Sequence, residues 1–173
     1  MISKEDIKHL EKIFPFWLDI NQNDRAKIIL SSRILSLKKN AIFFNSHDLN
    51  GLLFLKSGKL RFFLSHLEAR ELPLYYLNNM EVEFFEDFSD NSTSTILDIA
   101  FIVEKNSEIL LIPYSVLNLF RDKYSVMEKF LHNLTREKFS KSLLSLQNIL
   151  LIPLKDRLLK FLYSLNKTEI SLT

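Results

Sequence analysis

The sequence predicts a mainly β protein with helices at both ends: an antiparallel double-stranded β-helix, or jelly roll, with N-terminal helices before it and a long C-terminal helix after it. Three observations carry this. Between Arg33 and Ile112 short aliphatic runs recur at roughly ten-residue spacing, divided by polar or glycine breaks, as the strands of an antiparallel sandwich do. On either side of that stretch the apolar period becomes three and four residues, the spacing of a helix face. Finally, Phe139, Leu143, Leu146 and Leu150 are spaced four, three and four, the a/d seam of a helix that pairs with another.

Taken in order, Ser3 to Phe14 reads as a helix with Ile7, Leu10 and Phe14 on its apolar face, Ser3 and Asp6 as a near-capping box, and Pro15 as its stop. Asn21 or Asn23 caps a second helix to about Ser32, with Ala26, Ile29 and Leu30 as its apolar positions. Strands are then expected at Ile34 to Leu37, Ile42 to Phe44, Leu52 to Leu55 and Leu60 to Leu64, the last two joined by a hairpin at Ser57-Gly58. Ser65 to Glu71 reads as a second hairpin connection into Leu72 to Leu77, where Pro73 marks an edge strand because it cannot donate to a ladder. Asp87 to Ser94 is the most loop-like stretch, and Thr95 to Val103 and Glu108 to Ile112 are expected as two closing strands.

Beyond Pro113 a short helix precedes a long one from about Ser125 to Ile149, with Lys138, Lys141, Ser142 and Gln147 off the seam. The stripe runs well past the end of the roll, which favours a partner helix over packing on the chain's own sheet. Pro153 opens a further helix carrying Leu158, Leu159, Phe161, Leu162 and Leu165.

The 173 residues, 47% of them apolar, suffice for one substantial core. No cysteine is present, which excludes disulfides, thiolate catalysis, Cys-ligated zinc and a thiolate-held iron-sulfur cluster within these residues. The N-terminus lacks a signal-peptide pattern, and no apolar run approaches the roughly 18 residues of a membrane span, so a soluble, cytoplasmic protein without membrane contact is expected. The formal charge of +2 hides an asymmetry: Glu71 to Glu104 holds eight acids and no Lys or Arg, between two basic ends.

Four segments resemble the Crp/Fnr family of bacterial transcription regulators. Ile13-Phe14-Pro15-Phe16-Trp17 through Leu30-Ser31-Ser32 is similar to its opening helices, and Leu53-Phe54-Leu55-Lys56-Ser57-Gly58-Lys59-Leu60-Arg61 to its strand-turn-strand. Glu108-Ile109-Leu110-Leu111-Ile112-Pro113 resembles its last strand, and Leu151-Ile152-Pro153-Leu154-Lys155-Asp156-Arg157-Leu158-Leu159-Lys160-Phe161-Leu162 its first helix after the dimerisation helix. The resemblance implies a cyclic-nucleotide-binding-like sensory roll with preceding and following helices over 1-124, a dimerisation helix over 125-150, and the start of a DNA-binding domain over 151-173. A homodimer is implied, its interface at Phe139, Leu143, Leu146 and Leu150, with DNA contacted only through a module beyond Thr173 and with a small molecule or protein as effector.

Family members that bind cyclic nucleotides carry a Gly-Glu pair and a nearby Arg. Here Phe84, Phe85 and Glu86 stand at the first element without the glycine, and Ser94 to Asp98 contains no Arg. With no cation in the acidic block, repulsion dominates, and neither cyclic AMP nor cyclic GMP is expected to bind. Phe84, Phe85 and Glu86 therefore stand as candidates for a degenerate pocket. No cofactor or metal is expected: His9, His47, His66 and His132 are isolated, the default for surface or core histidine rather than a haem axial ligand. The Phe-rich roll suits an apolar ligand or an ordinary core equally.

Two other function classes compete. A cupin-like metalloenzyme needs clustered histidines, and no two of the four are closer than 19 residues, so a non-enzyme is expected. A degenerate roll acting as an interaction scaffold shares every feature above except a following helix-turn-helix.

Overall fold

The computed structural model describes residues 2-44, 49-65, 71-85, 98-159 and 162-163. Helix α1 (Lys4–Ile13) starts where the Ser3 hydroxyl accepts from the Asp6 N–H at 3.1 Å while the Asp6 carboxylate accepts from the Ser3 N–H at 2.8 Å. A 3-10 turn at Trp17–Asp19 leads into α2 (Gln22–Ser31), capped by Asn21, whose side-chain oxygen accepts from the Asp24 N–H at 2.8 Å. The buried face of α2 carries Asp24 and Ile28, with Ile29 half-buried, while Ala26 and Leu30 face solvent. The expected apolar face is thus rotated, because the docking partner of α2 is a polar anchor that periodicity cannot reveal.

Six strands follow among the described residues: β1 (Arg33–Leu37), β2 (Ile42–Phe44), β3 (Gly51–Ser65), β4 (Glu71–Asn78), β5 (Val82–Phe85) and β6 (Asp98–Pro113). The long strands β3 and β6 pair antiparallel along their whole length, Gly51 opposite Pro113 and Ser65 opposite Asp98. Each half of this ribbon gains two flanking strands. One layer is β1, β6, β3 and β5; the other is β2, β6, β3 and β4.

Two sequence expectations are corrected here. Ser57-Gly58 is not a hairpin but a bulged bend inside β3, and the two expected closing strands are one continuous β6. The register slips between Leu55 and Ser57, Ser57 and Lys59, and Lys59 and Leu60, and Gly58 takes φ +108°. Glycine inside a strand marks a bulge or a close approach, and here it marks both. Pro73 does lie on an edge strand, next to a register shift at Phe62/Phe63.

Alternation along β3 and β6 builds two cores. Leu53, Leu55, Leu60, Phe62, Phe101, Val103, Ile109 and Leu111 point between the layers. Leu52, Phe54, Leu110 and Ile112 point outward, where α1, α2, α3 (Tyr114–Arg121) and the first turns of α4 (Ser125–Leu151) cover them with Leu10, Phe14, Ile28, Leu117, Met127 and Leu131. Helix α4 stops at Leu151 because Ile152 precedes Pro153, and residues 154 to 159 resume as a helix.

Candidate functional site at the junction of the roll and the long helix

The two layers leave their outer strands β4 and β5 as facing lips of a mouth, and α4 lies against both. Inside it, strand alternation turns Glu83 of β5 and Tyr75 of β4 toward the interior, next to the half-buried Phe85. Lys138 enters from α4 with its Nζ 3.4 Å from Glu83 Oε2 and 5.3 Å from the centre of the Tyr75 ring. Glu83 is 3% exposed and Lys138 6%. Burial pushes the Glu83 carboxyl up to about 7, although Lys138 and the donating Tyr75 hydroxyl both oppose that rise. Burial, then the nearby carboxylate, pushes the Tyr75 phenol upward as well.

Lys138 was expected on the polar side of the helix. It is instead among the most buried side chains of α4, because what it faces is another charge. The same helix face carries Leu131, Leu134, Ser142 and Ser145, and the Ser145 hydroxyl donates to the Pro73 carbonyl at 2.8 Å. Tyr75 also ends a row of aromatic rings in contact across four strands. Phe43 and Phe101 lie 4.9 Å apart, Phe101 and Phe62 5.2 Å, and Phe62 and Tyr75 4.9 Å.

The acidic block is not left without cations once the chain folds. Besides Lys138 on Glu83, the Arg61 guanidinium donates to Glu104 at 2.7 Å and to Glu71 at 3.0 Å. Burial works against the Arg61 charge, but these two carboxylates hold it further in the charged form. Three acids of the block, Glu71, Glu83 and Glu104, thus find cations from outside the segment, on β3 and α4, where a local reading cannot see them.

The candidate pocket residues divide between faces. Phe84 packs outward against the helical core, 6.2 Å from Tyr114, while Phe85 points inward. Glu86 lies outside the described residues, as do His47, His66 and the loop-like Asp87 to Ser94. His9 lies against Phe54 at 5.1 Å, and His132 is exposed on α4. Among the described residues no three of His, Cys, Asp and Glu converge, and no helix is long and apolar enough to cross a membrane.

The seam residues lie on the adjacent face of α4. Phe139 is 62% exposed, Leu143 49% and Leu150 78%, with Leu146 partly covered. Phe139, Leu143 and Leu146 each follow a roll-facing residue, Lys138, Ser142 and Ser145, by one position, about 100° around the helix.

No family model and no curated protein sequence matches this chain. Solved structures do. A protein from Eubacterium rectale, described as a transcriptional regulator of the Crp/Fnr family, superposes with a TM-score of 0.77 at 27% identity over 94% of this chain and 74% of that one. CLP, the c-di-GMP responsive global regulator of Xanthomonas campestris, gives 0.59 at 16% over 83% and 71%. A mutant of CooA from Carboxydothermus hydrogenoformans gives 0.54 at 17% over 84% and 93%. The last two share the fold. By its superposition on the first of these over 94% of its length, the chain matches the sensory domain of the Crp/Fnr family of transcription regulators.

Proposed function

We propose that the chain is the effector-sensing and dimerisation portion of a Crp/Fnr-like transcription regulator. Residues 1-124 form the sensory unit, 125-150 the pairing helix, and 151-173 the approach to a DNA-binding domain, so that DNA is contacted through a module beyond this segment. The observation that carries this reading is the two-sided α4. One face is seated on the roll through Leu131, Lys138 and Ser145, and the adjacent face leaves Phe139, Leu143 and Leu150 in solvent. An apolar helical stripe of that kind is costly to expose and is suited to a second copy of itself. Change in the roll then reaches the partner helix through a rotation or shift of α4.

Cyclic nucleotide is not the effector in this reading. A cyclic phosphate needs backbone donors and a guanidinium fork, and neither the Gly-Glu pair nor the following Arg is present; the lysine at the mouth is engaged by Glu83. The effector is a different small molecule or a protein. Activity as an enzyme is no part of the proposal.

Sedimentation equilibrium tests the pairing. The expected result is a dimer in the micromolar range that becomes a monomer with unchanged circular dichroism in the Phe139→Glu/Leu143→Glu variant; a monomeric wild type overturns the reading. A thermal-shift screen tests the effector, since a ligand at 100 times its Kd stabilises by about 2.7 kcal/mol. Cyclic AMP or cyclic GMP is expected to leave the midpoint in place, and a clear shift with either refutes that part.

A further inference from the structure

The apolar seam of α4 continues toward the start of the helix as a basic one. Counting back seven residues from Leu143 and from Phe139 gives Arg136 and His132, and seven more from Arg136 gives Lys129, so a spacing of three, four and three leads into Phe139 without a break. All three side chains are exposed, as Phe139 and Leu143 are. The residues of this stretch that pack on the body are Met127, Phe130, Leu131 and Leu134, so the basic heptad shares the face of the apolar stripe.

The carboxylates nearby on α4 are engaged elsewhere. Glu128 accepts from Arg121 at 3.0 Å and Glu137 pairs with Lys141 at 2.8 Å, and neither stands at a seam position. Lys129, His132 and Arg136 have no ion-pair partner among the described residues. Parallel pairing in register sets α4 against α4 along its whole length, whereas an antiparallel pair centred on the apolar stripe sets this heptad opposite residues past the Pro153 break. In the parallel pair each seam position meets its own copy, so Lys129 and Arg136 of both chains converge on the twofold axis, with the two His132 rings between them. Like charges so placed repel. An oxyanion of several charges removes that repulsion, and guanidinium and ammonium groups supply its donors.

We propose that Lys129, His132 and Arg136 of two copies form one site for a multivalent oxyanion on the twofold axis, and that filling it tightens the dimer. The site rests on the pairing proposed above, since a single chain supplies only half of it. Lys129 and Arg136 stand about 10 Å apart along the helix, so their long side chains can close on an anion at the level of His132. Two cations from each chain suit a ligand that carries several charges, such as a diphosphate group, over a chloride ion. The site is distinct from the mouth of the roll, where Lys138 is engaged by Glu83.

Sedimentation equilibrium of the whole chain in chloride and in millimolar inorganic pyrophosphate, at equal ionic strength and pH, tests this. The dimer is expected to tighten about tenfold in pyrophosphate, the mass-action effect of a ligand at roughly ten times its Kd. Calorimetric titration should find one pyrophosphate for two chains. ADP in place of pyrophosphate separates a nucleotide from the free anion, and a response to either one supports the site. Lys129→Leu/Arg136→Leu changes exposed positions only, so it should keep its circular dichroism, pair at least as tightly as the wild type in chloride, and lose the response. Lys12→Gln, at an exposed lysine of α1, should retain it. A dimer indifferent to both anions, a response that persists in the double variant, or one anion for each chain overturns the site and leaves the pairing standing. A monomer in every buffer removes both.

Discussion

Gly58 of β3 is pressed against Ser107 of β6 at the bend where the ribbon folds from one layer into the other. A Cβ at Gly58 would lie 2.6 Å from the Ser107 Cα and closer still to its hydroxyl, and the backbone there has φ +108°. Gly58→Ala is expected to cost about 2 kcal/mol or more, from clash and positive φ together. Ser57→Ala, one residue away and exposed, should change almost nothing. Urea denaturation of both variants checks this, and a stable Gly58→Ala protein would contradict the bend.

Removing one partner of the buried junction pair should be worse than removing both. Lys138→Met leaves the Glu83 carboxyl buried without its cation and is expected to lose about 3 kcal/mol at pH 8, and less at pH 6 where Glu83 can take up a proton. The double variant Glu83→Leu/Lys138→Met should recover most of that loss. Equilibrium unfolding at both pH values measures it.

Lys56 of β3 bridges Asp6 of α1, at 2.7 Å, and Glu108 of β6. Burial pushes the Asp6 carboxyl up, but the hydrogen bonds from Lys56 and Ser3 outweigh it, so the net displacement is downward. A carboxyl held below its unfolded value stabilises the fold above that value and loses the contribution as pH falls through the folded one. Stability should therefore decline below about pH 4. Asp6→Asn should be less stable at neutral pH and show a shallower acid limb in thermal melts.

Tyr124 ties α2 to the start of α4. Its hydroxyl donates to Asp24 at 2.8 Å and accepts from the Asn21 N–H at 3.1 Å, and Lys123 pairs with the same carboxylate. Tyr124→Phe should cost about 1 kcal/mol, the net worth of one such hydrogen bond, without changing the oligomeric state. A combined melt and sedimentation run would show both.

The features legible in the chain were those made by neighbours in sequence. Ser3 and Asp6 form their box across three residues, Pro15 and Pro153 bound their helices, and Pro73 occupies an edge, all from local hydrogen-bonding chemistry. Gly58 carried a real signal that was assigned to the wrong device, since positive φ serves a bulge as well as a hairpin. Which of the two occurs depends on whether β6 runs past it. The strand identity of Phe84 and Phe85, and the rotated face of α2, likewise depend on partners distant in the chain.

By itself the sequence determined the short aliphatic runs of the roll and the three-and-four period of the helices, and with them an apolar stripe at Phe139, Leu143, Leu146 and Leu150. Only the tertiary structure decided which face of α4 meets the roll, and that Lys138, polar and apparently bound for solvent, goes inside to meet Glu83. Periodicity records the solvent preference of each side chain taken alone. Burial of a charge depends on a counter-charge supplied from another strand, and no spacing along the chain encodes that meeting.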